Sequence, residues 1–80
     1  MPAFVLYHFE GCPYCDLVRD FLAQQNIVIP QKDIRKDPKA KQELLKISGK
    51  SQVPCLSING QALYESRDII EWFKNNWKRS

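Results

Sequence analysis

Hydrophobic and polar positions divide the 80-residue chain into short segments of two different periods. Phe4-Val5-Leu6-Tyr7-His8-Phe9 is a continuous apolar and aromatic run closed by Gly11, the pattern of a buried strand. From Pro13 onward, Leu17, Val18, Phe21 and Leu22 recur at helical spacing, with Asp16, Arg19, Asp20, Gln24 and Gln25 between them. Pro13 suits a first helical turn, where its missing N–H is no loss, and Asn26 is the expected stop. Ile27-Val28-Ile29 opens a second strand predicted to continue to Ile34 past Pro30. A proline interrupts a central ladder, so this strand belongs at an edge or begins at the proline.

The second half follows the same logic. Asp37-Pro38 reads as an N-cap with proline at the first helical position, and Leu44, Leu45 and Ile47 form the apolar stripe of a helix leaving at Gly49. Val53-Pro54-Cys55-Leu56-Ser57-Ile58 is a strand after a polar loop. Asn59-Gly60 is a strong two-residue hairpin signal into Gln61-Ala62-Leu63-Tyr64. Ser66 is the expected cap of a last helix that buries Ile69, Ile70, Phe73 and Trp77. The resulting order is β-α-β-α-β-β-α, without linker, repeat or low-complexity tract. A β-α-β start implies parallel strands with a right-handed crossover, and the hairpin adds antiparallel strands. The expected class is α/β: a thioredoxin-like, four-stranded mixed sheet flanked by helices, in one domain over residues 1–80.

Composition narrows the function more than the fold. The chain is 44% hydrophobic and 26% charged, ordinary for a soluble globular protein, and no stretch is long and apolar enough to span a membrane. The start has no basic region of a signal peptide, so the cytoplasm is the expected compartment. The net charge is +3, with Lys32, Arg35, Lys36, Lys39, Lys41, Lys46 and Lys50 concentrated in the middle. Phe and Tyr are absent between Phe21 and Tyr64, so this stretch reads as a solvated face rather than a nucleic-acid surface. Small anionic substrates remain compatible with it. Three cysteines do not make a disulfide framework, because Cys12 and Cys15 are too close to staple a large loop and Cys55 is left over.

The candidate chemistry centres on Gly11-Cys12-Pro13-Tyr14-Cys15, between a strand and a helix. Unsatisfied N–H groups and the positive end of the dipole at a helix start favour a thiolate. Cys12 is the expected nucleophile, its sulfur meeting backbone donors and solvent together. Cys15, one turn on and more buried, is the resolving thiol that attacks a mixed disulfide on Cys12. Pro13 stiffens the turn and Tyr14 sets an aromatic ring beside the sulfur. The rival reading is a Cys₃His zinc site of His8, Cys12, Cys15 and Cys55, but no second close ligand pair answers the first. His8 is otherwise a strand-end residue or a contributor to the field around Cys12. Cys55 reads as a small buried hydrophobe, with a redox-sensitive thiol as the alternative. At Tyr64-Glu65-Ser66, capping by Ser66 competes evenly with an anion site, where a carboxylate meets helix N–H groups and Glu65 meets an amino group.

Cys12-Pro13-Tyr14-Cys15, Gln52-Val53-Pro54 and Tyr64-Glu65-Ser66 leading into Ile69-Ile70 together resemble the glutaredoxin family over essentially the whole chain. The resemblance implies a glutathione-dependent thiol–disulfide oxidoreductase with a redox-active Cys12/Cys15 pair and a cis Val53-Pro54 bond. It implies a glutathione groove lined by Tyr14, Gln52, Val53, Pro54, Glu65 and Ser66, in which the Val53 backbone pairs with the cysteinyl part. Glutathione is then the reducing cosubstrate, with no tightly bound cofactor or metal. The partners are disulfide-bonded or glutathionylated proteins, and the chain is expected to be a monomer. Glu65-Ser66 is similar to the motif of glutathione-transferase N-terminal domains that holds the γ-glutamyl end, although a complete transferase, which needs an all-helical second domain, is not expected. Three departures stand out. Phe9 occupies a position where many glutaredoxins carry Lys or Arg, Glu10 adds a negative charge, and the usual Gly-Gly before the last helix is missing. The approach to Cys12 is thus expected to be acidic and poor in lysine, unless Lys50 or another base compensates.

Overall fold

One four-stranded sheet organises the chain, and its strand order explains where the cysteine motif lies. The computed structural model describes residues 3–77. The elements run β1 (Phe4–His8), α1 (Pro13–Gln24), β2 (Gln31–Asp33), α2 (Pro38–Ser48), β3 (Cys55–Ile58), β4 (Gln61–Tyr64) and α3 (Ser66–Asn76). The sheet order is β2-β1-β3-β4, with β1 parallel to β2 and antiparallel to β3, and β3 antiparallel to β4. The expected mixed sheet and element order are therefore both present.

Strand alternation sends successive β1 residues to opposite faces. Leu6 joins Val18 and Leu22 of α1, Leu56 of β3, and Ile69 and Phe73 of α3 on one face. Tyr7 joins Ile34, Ala40, Leu44 and Cys55 on the other, beneath α2. Burying each of these large apolar side chains contributes about 1.5–3 kcal/mol before entropy is counted. An aromatic group anchors α3: Trp72 and Phe73 meet edge-on at 5.2 Å, and Trp77 lies 5.6 Å from both Phe73 and Phe4. Such pairs each add about 0.5–1.5 kcal/mol beyond area burial. They fix the helix whose N-terminus borders the candidate site.

Local signals are realised closely. Asp37 caps α2 by accepting the Lys39 N–H at 3.0 Å, with Pro38 in the first turn and Gly49 left-handed (φ 77°) at the exit. Asn59 and Gly60 both take positive φ (53° and 85°), the requirement of a type I′ hairpin, and Ile58 faces Gln61 across it. Three expectations need correction. The second strand does not begin at Ile27. Ile27 and Ile29 are buried, but Val28 is 90% exposed, and pairing with β1 starts only after Pro30, as β2 at the sheet edge. Leu17 and Leu45 are exposed, because in each helix a neighbouring residue (Val18, Leu44) points more directly at the sheet. Ser66 is not the cap of α3 but its first helical residue: the Glu65 carbonyl accepts the first helical bond, from Ile69 N–H at 3.0 Å, and Glu65 itself has φ 70°.

Candidate functional site

Cys12 occupies the N-cap of α1 in an extended conformation, and Pro13 begins the helix. The Cys15 N–H donates to Cys12 Sγ at 3.4 Å, so an amide of the first helical turn is directed at the Cys12 sulfur. Cys12 is more enclosed than a strand-to-helix junction implies, with 7% of its surface exposed. Its own N–H turns back to Phe9 O at 3.4 Å. Cys15 is fully buried. Burial, and then its hydrogen bond with Cys12, push its thiol up to about 12, while a backbone hydrogen bond from Phe9 acts in the opposite direction. Tyr14 is 64% exposed beside them.

The other sequence-predicted residues converge on this end of the molecule. Tyr14, Gln52, Val53, Pro54, Glu65 and Ser66 line one groove of about 550 Å³, together with Arg67. The Val53-Pro54 peptide is cis, as the resemblance implies. Gln52 Nε2 donates to Glu65 Oε1 at 3.3 Å, tying the proline loop to the start of α3. Glu65 makes no side-chain cap to its own helix, so the first amides of α3 are not occupied by it. Arg67 escaped the sequence reading because a single exposed arginine in a helix carries no local signature.

A second groove of about 500 Å³ is lined by Phe9, Ile34, Arg35, Pro38, Lys41 and Ser51. It approaches the first through the consecutive residues Ser51 and Gln52. Here the structure corrects the expectation of an acidic, lysine-poor approach. The Arg35 guanidinium lies 4.0 Å from the centre of the Phe9 ring, and Lys36 Nζ meets Glu10 Oε2 at 2.8 Å. Both cations come from the turn after β2 and lie against the loop that leads to Cys12. Lys50 is not the compensating base, since its ammonium rests 4.6 Å from the centre of the Tyr64 ring.

Asp33 builds this arrangement. Its carboxylate accepts the N–H groups of Arg35 (2.8 Å), Lys36 (3.1 Å) and Glu10 (3.1 Å), locking the turn after β2 to the loop before Cys12. Partial desolvation pulls its pKa upward, but these three backbone donors outweigh that and hold it below the usual carboxylate value. The sequence did carry a faint signal for Asp33, as an aspartate opening a short polar turn.

The zinc reading does not survive the topology. Cys55 stands opposite Tyr7 and packs with it beneath α2, whereas His8, next along β1, faces the other side of the sheet. Among the described residues, no group of three His, Cys, Asp or Glu side chains is placed to hold a metal ion. Cys55 is fully buried, and burial pushes its thiol up to about 11, which agrees with a packing role. Among the described residues no helix is long and apolar enough to cross a membrane.

Comparison with known proteins follows the same lines. The chain is 28% identical over 58 residues to an uncharacterised glutaredoxin-like 8.6 kDa protein of the rubredoxin operon of Clostridium pasteurianum, covering 72% of this chain and 77% of that one. Its fold is similar to oxidized glutaredoxin 2 from Chlamydomonas reinhardtii, with a TM-score of 0.66, 29% identity, and coverage of 92% of this chain and 73% of that one. It is also similar to glutathione transferase Omega 3C from Trametes versicolor, with a TM-score of 0.77 and 32% identity over 90% of this chain but 32% of the transferase. These relatives bear out the resemblance to glutaredoxins and the thioredoxin-like fold. Residues 6–79 match the family described as glutathione S-transferase, N-terminal domain, and the chain belongs to that family.

Proposed function

We propose that the protein is a glutathione-dependent thiol–disulfide oxidoreductase working through Cys12 and Cys15 as a monomer in the cytoplasm. The observation that carries this reading is the single groove of Tyr14, Gln52, Val53, Pro54, Glu65, Ser66 and Arg67, whose Tyr14 shares its helical turn with Cys12. An extended tripeptide of about 10 Å fits the path formed by the two adjoining grooves. The γ-glutamyl carboxylate meets the first amides of α3 at Ser66, with Arg67 beside it, and the γ-glutamyl ammonium meets Glu65. The Val53 backbone pairs with the cysteinyl residue. The glycyl carboxylate meets Arg35 and Lys41 in the second groove, in place of the cation missing at Phe9.

In the reaction, the Cys12 thiolate attacks one sulfur of a protein disulfide or glutathionylated thiol. A bond forms from Cys12 to that sulfur as the substrate S–S bond breaks, and the displaced thiolate takes up a proton. Cys15 then attacks Cys12 Sγ and frees the second product as a thiolate, or, when the sulfur held on Cys12 is that of glutathione, a glutathione thiolate attacks that sulfur and leaves with it as glutathione disulfide. The protein ends as a Cys12–Cys15 disulfide in the first case and as the Cys12 thiolate in the second. Negative charge on Cys12, when it attacks or leaves, is met by the Cys15 N–H.

The deciding assay reduces a glutathionylated protein with glutathione and with thioredoxin reductase offered separately. Turnover with glutathione is expected. Turnover with the reductase alone would overturn the glutathione assignment while sparing the dithiol chemistry.

A further inference from the structure

The groove of Phe9, Ile34, Arg35, Pro38, Lys41 and Ser51 encloses about 500 Å³, far more than a glycyl residue fills. Phe9, Ile34 and Pro38 make part of its wall apolar, and Arg35 and Lys41 bring two cations to it. Neither cation has a carboxylate partner among the described residues. The acids nearby are already engaged: Glu10 with Lys36, Glu43 with Lys32, Asp33 with three backbone N–H groups, and Asp37 as the cap of α2. Arg35 lies 4.0 Å from the centre of the Phe9 ring, which holds the guanidinium in place without neutralising it. The Cys12 N–H donates to Phe9 O at 3.4 Å, so the residue whose ring lines this groove is folded back against the proposed nucleophile.

Glutathione ends in this groove with a carboxylate, but a protein client does not end there. Its chain continues past the cysteine as neutral peptide, so a client held in the same register leaves Arg35 and Lys41 facing no charge. An acidic side chain just after the client cysteine restores the match, and its methylene groups lie against Phe9 and Pro38. Two extended residues reach about 7 Å, which keeps the choice within the first two positions. Resting on the glutathione register above, we propose that Arg35 and Lys41 select client proteins whose disulfide cysteine is followed within two residues by aspartate or glutamate. Lysine or arginine in those positions meets like charge and is rejected. The selection acts as the bond between Cys12 and the client sulfur forms, and the sulfur chemistry itself is unchanged.

A groove-bound acid differs from general attraction to a basic protein. Lys39 and Lys46 of α2 are exposed and outside the groove. They draw any acidic client, whatever its sequence around the cysteine, and salt screens that pull beyond about 10 Å. Arg35 and Lys41 lie on one side of the cysteine only. Their preference is therefore directional: acids after the client cysteine count, and acids before it meet the other groove, where Glu65 stands.

The test uses the full chain and synthetic peptides whose single cysteine is a mixed disulfide with pyridinethiol, so glutathione takes no part. The Cys12 thiolate attacks the peptide sulfur and a bond forms between them. The electron pair of the broken S–S bond leaves with pyridinethiolate, which is followed by its absorbance. The peptides contain Cys-Glu-Glu, Cys-Gln-Gln, Cys-Lys-Lys or Glu-Glu-Cys, and each rate is divided by that of the same peptide with mercaptoethanol to remove intrinsic reactivity. Cys-Glu-Glu should react about tenfold faster than Cys-Lys-Lys, with Cys-Gln-Gln between them, and at least about threefold faster than Glu-Glu-Cys. The double substitution Arg35→Gln with Lys41→Gln should bring the rates within about twofold of one another, and Lys41→Glu should reverse the order of the Glu and Lys peptides. Wild-type rates that differ by less than about twofold overturn the proposal, as does an equal gain from acids on either side of the cysteine. So does a preference that persists in a folded double variant. Loss of the preference with an unchanged KM for glutathione upholds the acid selection and shows that only the glycyl end was misplaced. Rates no faster than those of Cys12→Ser with every peptide would remove Cys12 as the nucleophile, and this proposal with it.

Discussion

At the start of α2, Asp37 stands just outside the helix and its carboxylate holds the Lys39 N–H at 3.0 Å, with Pro38 following. The starts of α1 and α3 are built differently. At α1 the capping atom is the sulfur of Cys12, 3.4 Å from the Cys15 N–H. At α3 the residue in the cap position, Glu65, gives its carboxylate to Gln52 rather than to the helix. A helix start closed by its own carboxylate gains about 1 kcal/mol and has nothing left to offer. The two starts that forgo that closure are those bordering the groove around Tyr14 and Val53. A carboxylate thus closes the helix start away from the groove, and the helix starts beside it have no such closure.

Four outcomes break or sharpen this contrast. Cys12→Ser removes the proposed nucleophile from the start of α1, and reduction of a glutathionylated substrate should fall by roughly three orders of magnitude or more. Residual turnover near wild type would move the chemistry elsewhere. At α3, the double substitution Glu65→Gln with Ser66→Ala should raise the KM for glutathione about tenfold with little change in kcat, as expected for loss of charge-assisted hydrogen bonds. An unaltered KM would remove α3 from the glutathione site. At α2, Asp37→Ala should cost about 1 kcal/mol and lower Tm by about 4–8 °C. Disulfide reduction should stay at the wild-type rate, and a matching loss of activity would show that α2 capping is not merely structural.

The mildest effect concerns the buried acids. Folded-state pKa values lie near 12 for Tyr7, where burial and then Glu43 raise it from 10.0, and near 12 for Cys15 and 11 for Cys55, both from 9.0. As pH rises, the unfolded chain loses these protons first and so binds fewer than the native state. The stabilisation is complete below about pH 9 and declines progressively toward pH 12. Urea titrations between pH 8 and 11 should show a steady fall in stability, and a flat profile would contradict the burial of these groups.

Local chemistry was legible in the chain, and assembly at a distance was not. Asp37-Pro38, Asn59-Gly60 and Cys12-Pro13-Tyr14-Cys15 each declare their structure within a few residues, because caps, positive-φ turns and helix starts are short-range requirements. The groove around Val53 could be anticipated through resemblance. Arg35 was hidden, since its service to Phe9 depends on β2 lying beside β1 and on Asp33 bridging two loops. The cap position of α3 falls one residue from the expected one for a comparable reason. The positive φ of Glu65 is set by the turn out of β4, and Ser66 in isolation resembles any other N-cap.

The sheet order carries a consequence for how the molecule opens. β1 is bonded on both sides, by β2 and β3, while β2 and β4 each have one free edge. Fraying starts at free edges, so sub-global opening should peel β4 or the three-residue β2 and leave β1 in place. The cysteine motif hangs from the end of β1. Its thiols stay aligned through fluctuations that would detach either edge strand, and amide exchange should find the slowest protons in the strand that leads to Cys12.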